Sequence, residues 1–333
     1  MTKTRSGHFR RIFAFFMAFS LLSTSPLTVF ALEGEKKSYI KWVDFTPTAE
    51  LLSDALEIDL ATHETETPVS WIELIAALGQ KYGGSFSRYQ KKDLEAFAEA
   101  ARARKLQECI QNEKLFRYYQ EAYGAVLGGM VGSYTEERRD ENGEITTTKK
   151  YGLKAFHPLA AGYAFSHSDD FGNARNYGYK RRHLGHDMFG SVGTPVVAIE
   201  SGYVEALGWN QYGGWRIGIR SFDGQRYYYY AHLRKDHPYA DLYEGKIVRA
   251  GEIIGYLGMT GYSAKENVNN IKTPHLHVGL EVIFDPSQKD GYNQIWISMY
   301  ELVRFLASNR VRAYREGAES VSHLCVIDEE MPD

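Results

Sequence analysis

Apolar residues recur at helical spacing from about residue 45 to 130. Leu51, Leu52, Ala55 and Leu56 follow Thr46-Pro47, which reads as an N-cap with proline at the first helical position. Trp71, Ile72, Ile75 and Leu78 follow Ser70, with Glu73 completing a capping box and Gly83-Gly84 ending the helix. Leu94, Phe97, Ala98 and Ala101 predict a third helix. Leu115, Tyr119, Tyr123, Val126 and Leu127 predict a fourth. This region reads as a small helical bundle with no catalytic constellation of its own. Residues 134–150 read as a polar hairpin or linker around Asn142-Gly143.

From residue 151 the pattern changes. Short apolar runs alternate with Gly-rich turns: Pro195 to Ile199, Gly202 to Val204, Trp215 to Ile219, Tyr227 to Tyr230 and Ile253 to Leu257. Runs of this length and spacing predict an antiparallel β-domain. A last helix is expected from near Ser298, capped with Glu301, with Met299, Leu302, Val303 and Leu306 as its apolar stripe. The expectation is therefore an α+β chain: a helical domain over 45–130, a β-rich domain over 151–315 closed by a C-terminal helix, and a tail over 316–333.

The first 31 residues stand apart. Lys3, Arg5, Arg10 and Arg11 precede an apolar run from Ile12 to Leu22, and Val29-Phe30-Ala31 offers small residues three apart. This reads as a secretory signal cut after Ala31. The alternative is an uncleaved membrane anchor, but Ser23 to Pro26 interrupt the run, so it spans poorly. Removing four positive charges would take the net charge from −3 to −7, which excludes a strong basic field and gives no reason to expect nucleic acid as a partner. After cleavage no stable membrane insertion is expected. Two cysteines, Cys109 and Cys325, rule out a disulfide-rich scaffold and a four-cysteine zinc ribbon. Export permits a disulfide between them; two unpaired thiols are the other reading. With 24 Tyr and 17 Phe the chain is not a disordered one.

The histidines carry the candidate chemistry. His63, His157, His167, His237 and His323 are isolated and read as structural or exposed. His275-Leu276-His277 precedes a strand-like run. Residues two apart on a strand share a face, so both imidazoles point one way and Leu276 the other. His183 and Asp187 are four apart in a Gly-rich stretch; on an extended segment they too share a face, and His186 faces away. His232 ends the Tyr227 to Tyr230 strand. A catalytic zinc takes three protein ligands and keeps a fourth position open. His183, Asp187 and one member of the His-Leu-His pair supply that set, and His232 with the other member supplies an acid–base pair for a zinc-activated water.

The order of motifs resembles the lysostaphin-like (LytM-type) zinc metallopeptidases that cut peptidoglycan. His183-Leu184-Gly185-His186-Asp187 matches H-x-G-x-D. Gly193-Thr194-Pro195-Val196-Val197-Ala198 leads to Gly202-Tyr203-Val204. Tyr230-Ala231-His232-Leu233 matches Y-x-H-L. Gly251 to Gly255 leads to Gly258-Met259-Thr260-Gly261, and Pro274-His275-Leu276-His277 closes the set. The resemblance covers about 155–285. It implies a β-domain of the duplicated hybrid motif type and one Zn2+ per chain, held by His183, Asp187 and His277. His232 and His275 are implied as the catalytic pair. The implied function is a secreted or envelope-associated zinc metalloendopeptidase acting on peptidoglycan stem or cross-bridge peptides; the alternative is a non-catalytic scaffold or activator of wall hydrolases on the same fold. Asp170 to Arg175 resembles the F-G-x-x-R approach to the site, with Arg175 either structural or substrate-contacting. The chain departs from the pattern at Ala264 to Lys272, nine residues inserted where a groove rim is expected. They are either a specificity loop or a tolerated surface insertion.

Overall fold

The computed structural model describes residues 39–140, 142–177, 179–289, 291, 293–317 and 319–328. The expected signal, residues 1–31, lies outside the described residues. Four helices come first: α1 (Ala49–Thr62), α2 (Trp71–Tyr82), α3 (Lys91–Arg102) and α4 (Glu113–Leu127). A fifth, α5 (Tyr300–Leu306), follows the strands. None of the described helices is long and apolar enough to cross a membrane.

The helices form where the apolar spacing places them, but their ends obey different partners. Thr48, not Thr46, caps α1, its hydroxyl accepting from Leu51 N–H. Ser70 stands at the N-cap of α2 without a side-chain cap bond; the Asp59 carboxylate takes the Trp71 N–H at 2.9 Å instead. Gly83 ends α2 in the left-handed region, φ 63°, as glycine permits. At α5 the N-cap is Met299, and Glu301 accepts the first free N–H of α1, from Ala49, at 2.8 Å. At α2 a long-range acceptor serves a donor that the local box was expected to serve; at α5 Ser298 Oγ still accepts from Tyr300 N–H at 3.4 Å while the Glu301 carboxylate is drawn away to α1.

Strands Val131–Arg139 and Ile145–Leu153 make the hairpin around Asn142-Gly143, longer than the 134–150 expected. The stretch read as a tail supplies strands: Glu319–Ser322 pairs with Ala313–Glu316, and Leu324–Asp328 adds a third strand to the hairpin. Cys109 and Cys325 are both unpaired.

The main sheet has eight strands, all joined antiparallel. Its order is Ile247–Val248, Gly202–Asn210, Gly214–Ser221, Arg226–Ala231, His275–Val282, His186–Gly190 and Phe165–His167, with Ile295–Ile297 also paired to His275–Val282. Successive residues on its strands point to opposite faces. Tyr228, Tyr230, Leu276, Val278 and Met188 are fully buried, and they share one apolar cluster with Leu51, Leu74 and Leu78 of the helices. Helical and β regions thus belong to one compact unit from Tyr39 onward. A buried polar knot crosses it. Arg226, 1% exposed, donates to Glu200 at 2.8 Å, to Asp223 at 2.7 Å and to the Ala125 carbonyl of α4 at 2.9 Å, while Tyr228 donates to Glu200 at 2.7 Å.

Candidate metal centre and groove

The opposite face of the sheet carries the site. In the ladder His277 lies opposite Asp187 on one side and Ala231 on the other, so three adjacent strands converge at one level. His275 and His277 share this face and Leu276 is buried beneath it, as the strand period predicts. His183 arrives differently. It precedes strand His186–Gly190 instead of sharing it, and the chain bends at Gly185. The bend, not an extended run, brings His183 to Asp187.

Three donor atoms then meet. His183 Nε2 is 3.0 Å from Asp187 Oδ1 and 2.9 Å from His277 Nδ1, and His277 Nδ1 is 2.9 Å from Asp187 Oδ1. These three residues can hold a metal ion. Their outer contacts orient them. His183 Nδ1 lies 3.2 Å from the carbonyl of Asp170 and 3.1 Å from its carboxylate, which turns Nε2 towards Asp187 and His277. Arg175 NH2 donates to Asp170 at 2.5 Å and Asp187 Oδ2 at 3.2 Å, its third neighbour being His183 Nδ1. Arg175 therefore holds the ligand set together from behind.

His232 and His275 flank the triangle. His232 Nδ1 donates to the Thr260 carbonyl at 2.9 Å, and His275 Nδ1 donates to the Thr273 carbonyl at 2.8 Å. Both rings are thereby fixed as the tautomer whose Nε2 is free to accept a proton. His275 Nε2 lies 3.7 Å from Asp187 Oδ1, and the two rings are 4.7 Å apart. Burial, reinforced by the neighbouring histidines, holds His232 well below the usual imidazole range. Burial also lowers His277, against the pull of Asp187. Burial alone would raise Asp187, but the adjoining imidazoles, His183 and His277 first, hold it well below the carboxylate range.

The isolated histidines stay apart from this centre. His186 points to the other face, with its Nε2 2.8 Å from His167 Nδ1. His157 is fully buried beside Phe165, His237 stacks on Tyr256, and His63 stacks on Tyr151. Sequence reasoning missed Thr260, Thr273 and the Asp170 carbonyl, because a backbone acceptor leaves no residue signature. It also missed Arg181, Tyr212 and Tyr229, which line both a small cavity of about 70 Å3 at the ligands and an adjoining groove of about 590 Å3. The alternation in Tyr227 to Tyr230 was the available signal: the odd members line the groove while the even ones are core.

The profile of peptidase family M23 matches residues 181–290, which span the triangle and both flanking histidines. The chain carries an M23 peptidase domain. The L-Ala--D-Glu endopeptidase of Bacillus subtilis (strain 168) is 34% identical over 189 residues, 51% of this chain and 56% of that protein. Lysostaphin of Staphylococcus simulans is 43% identical over 96 residues, 28% of this chain and 17% of that protein. The chain thus spans little more than half of one curated relative and under a fifth of the other. The crystal structure of a lytM protein from Ruminococcus gnavus covers 83% of this chain and 93% of its own at TM-score 0.54 and 22% identity. That likeness extends the shared fold over the helices as well as the M23 domain.

Proposed function

We propose that this chain is an exported zinc metalloendopeptidase that hydrolyses peptide bonds of peptidoglycan stems or cross-bridges. One observation carries the reading: three converging lone pairs beside two histidines of fixed tautomer. A tetrahedron with zinc–ligand bonds of about 2.0–2.1 Å has edges of roughly 3.3 Å. The 2.9–3.0 Å edges here fit that size. With Asp187 ionised, every proton placement leaves one of the three edges pairing two donors or two acceptors; a cation satisfies all three. His183, Asp187 and His277 are the proposed ligands, and two nitrogens with one carboxylate oxygen suit Zn2+. Zinc supplies Lewis acidity there, bringing the pKa of water to about 7 and polarising a carbonyl.

The remaining steps belong to the chain. His232 Nε2 or His275 Nε2 takes the proton of the attacking water, because each ring's other nitrogen is committed to a carbonyl. The resulting imidazolium N–H then stabilises the oxyanion that develops on the scissile carbonyl. Arg175 positions Asp187. Endopeptidase names among the relatives support this reading. Residues 1–31 support export, and peptidoglycan lies outside the membrane.

The test pairs zinc content with lysis of purified peptidoglycan by the full chain, His277→Ala and His232→Ala. About one zinc per chain is expected, as one tetrahedral site requires. Lysis is expected to be lost in both variants, with His232→Ala keeping the metal. Absence of both zinc and lysis in the unaltered chain would leave the scaffold reading.

A further inference from the structure

The groove beside the candidate metal centre is positive although the chain is acidic. Four cationic side chains line it against two carboxylates, Glu205 and Glu281. Glu205 is already engaged by Arg220 at 2.7 Å and by Lys289. Arg181, Arg182 and Arg216 make no ion pair among the described residues.

Arg181 is the one of these that reaches the centre, since it borders both the groove and the small cavity at the ligands. Its guanidinium lies 5.3 Å from the Tyr212 ring and 5.4 Å from the Tyr262 ring, and NH2 donates to the Tyr262 hydroxyl at 2.9 Å. Its Nε is buried with no hydrogen-bond partner. A buried, unsatisfied guanidinium donor is costly and calls for a reason. The guanidinium thus stands beside two rings with NH2 held by Tyr262 and Nε unengaged, and a guanidinium so positioned can receive a carboxylate. Tyr262 stands two residues before the inserted segment. Asn267 ties that segment down by accepting from Trp215 Nε1 and Asp236 N–H, each at 2.9 Å. The Tyr229 phenol, held by Asn210, lies within reach of the charges of both Arg216 and Arg181.

We propose that Arg181, fixed by Tyr262 at the entry to the inserted segment and assisted by Arg216, binds a substrate carboxylate next to the scissile bond, so that the site selects acidic stem peptides over uncharged glycine bridges. This rests on the peptidase reading above and names its substrate class. An oligoglycine offers only peptide carbonyls to this fork, whereas an acidic residue offers the bidentate acceptor. The inserted segment is then a specificity element.

The test uses two synthetic stem-like peptides that differ only in one group beside the cleaved bond, a carboxylate or its carboxamide, with pentaglycine as a third substrate. The zinc-loaded full chain should prefer the carboxylate in kcat/KM by roughly 10- to 100-fold, since a built hydrogen-bonding site rejects the analogue that leaves it unpaired. Arg181→Gln should collapse that ratio towards one, Arg181→Lys should restore part of it, and Arg216→Gln should reduce it. Binding of the same peptides to His232→Ala, measured by calorimetry, should show the same preference without turnover. Cleavage of both peptides with equal kcat/KM, or a ratio that survives in Arg181→Gln, overturns this inference and leaves the peptidase reading standing. Cleavage of none of the three, with no lysis of peptidoglycan, overturns the peptidase reading and the inference with it.

Discussion

Gly185 offers the sharpest test of the metal centre. It forms the bend that brings His183 to Asp187. A Cβ built on it would lie 2.4 Å from both Cε1 and Nε2 of His277 and 2.9 Å from the Val278 carbonyl oxygen. Carbon atoms in contact prefer about 3.5–4.0 Å, so alanine here demands a displacement of roughly 1 Å. The obstacle is not the free end of a flexible chain. It is an imidazole whose other nitrogen sits 2.9 Å from each of the other two donor atoms. Metal–ligand distances tolerate only about ±0.2 Å, so the ring cannot yield by that much and still ligate. Gly185 is not among the positive-φ residues, so alanine adds no backbone strain and the effect is steric. Zinc affinity should fall at least 10- to 100-fold, about 1.4–2.8 kcal/mol, the range found when the support of a ligand is disturbed. Competition against a chelating dye measures it. Gly124→Ala is the control: it lies inside α4 with nothing within 4 Å of a built Cβ. It should leave zinc binding alone and add about 0.5–1 kcal/mol of stability. Unchanged zinc affinity in Gly185→Ala would refute the steric argument and weaken the assignment of His277 as a ligand.

Two further predictions concern stability. Arg226→Met leaves the buried Glu200 charge without its cation, with only the Tyr228 hydroxyl donating to it, and should cost about 3–5 kcal/mol, a fall in Tm of roughly 10 °C. Adding Glu200→Gln should recover most of the loss, because it removes the stranded charge; a double variant no more stable than the single one, in thermal and urea unfolding, contradicts this. His157 is held down to about 3 by burial, its Nδ1 lying 3.0 Å from the Leu159 carbonyl and 3.2 Å from the Leu159 N–H. A base depressed in the fold contributes nothing above its unfolded value. As pH falls below about 6.5 the unfolded chain takes a proton that the fold refuses, and stability drops by up to about 1.4 kcal/mol per pH unit until the folded value is reached. His157→Asn keeps both a donor and an acceptor for Leu159 and removes the titration. The unfolding free energy of the variant should lose about 2 kcal/mol less than the unaltered chain between pH 6.5 and pH 5; parallel pH profiles would count against it.

What the sequence discloses and what it conceals divide along a physical line. The period of two around His275 and His277 is a covalent property of an extended chain, so it is legible and it holds. The apolar spacing of the helices is equally local, and they form where it indicates. The caps are less local. Ser70 with Glu73, and Ser298 with Glu301, carry the right residues three apart, yet Asp59 and Glu301 serve donors twelve or more residues away. A helix end takes whichever acceptor the tertiary fold presents, and spacing alone does not contain that choice. His183 and Asp187 were legible as chemistry but not as geometry: an even separation suggests one strand face, whereas the chain turns at Gly185. The carbonyls that fix His232 and His275 are invisible for a deeper reason, since every residue has one.

The strand Arg226–Ala231 shows why the helices and the catalytic face are not independent. Its first residue anchors to α4 through the Ala125 carbonyl, and Tyr228 and Tyr230 sit fully buried in the shared cluster. The next residue after its end is His232, which adopts φ 62°. That region costs an L-residue roughly 1–2 kcal/mol, so something must hold the residue there. Two bonds do: its N–H donates to the Gly213 carbonyl at 2.7 Å, and its ring donates to the Thr260 carbonyl at 2.9 Å. Thr260 is itself fully buried, its hydroxyl donating to the Leu233 carbonyl at 2.6 Å. A loop histidine free to rotate would lose most of the advantage of a positioned base. Here the ring is pinned at both ends, to a strand that the helical layer fixes and to a buried turn. On the proposed reading the helical region supports the chemistry without touching it, by anchoring the strand that leads into the proposed base.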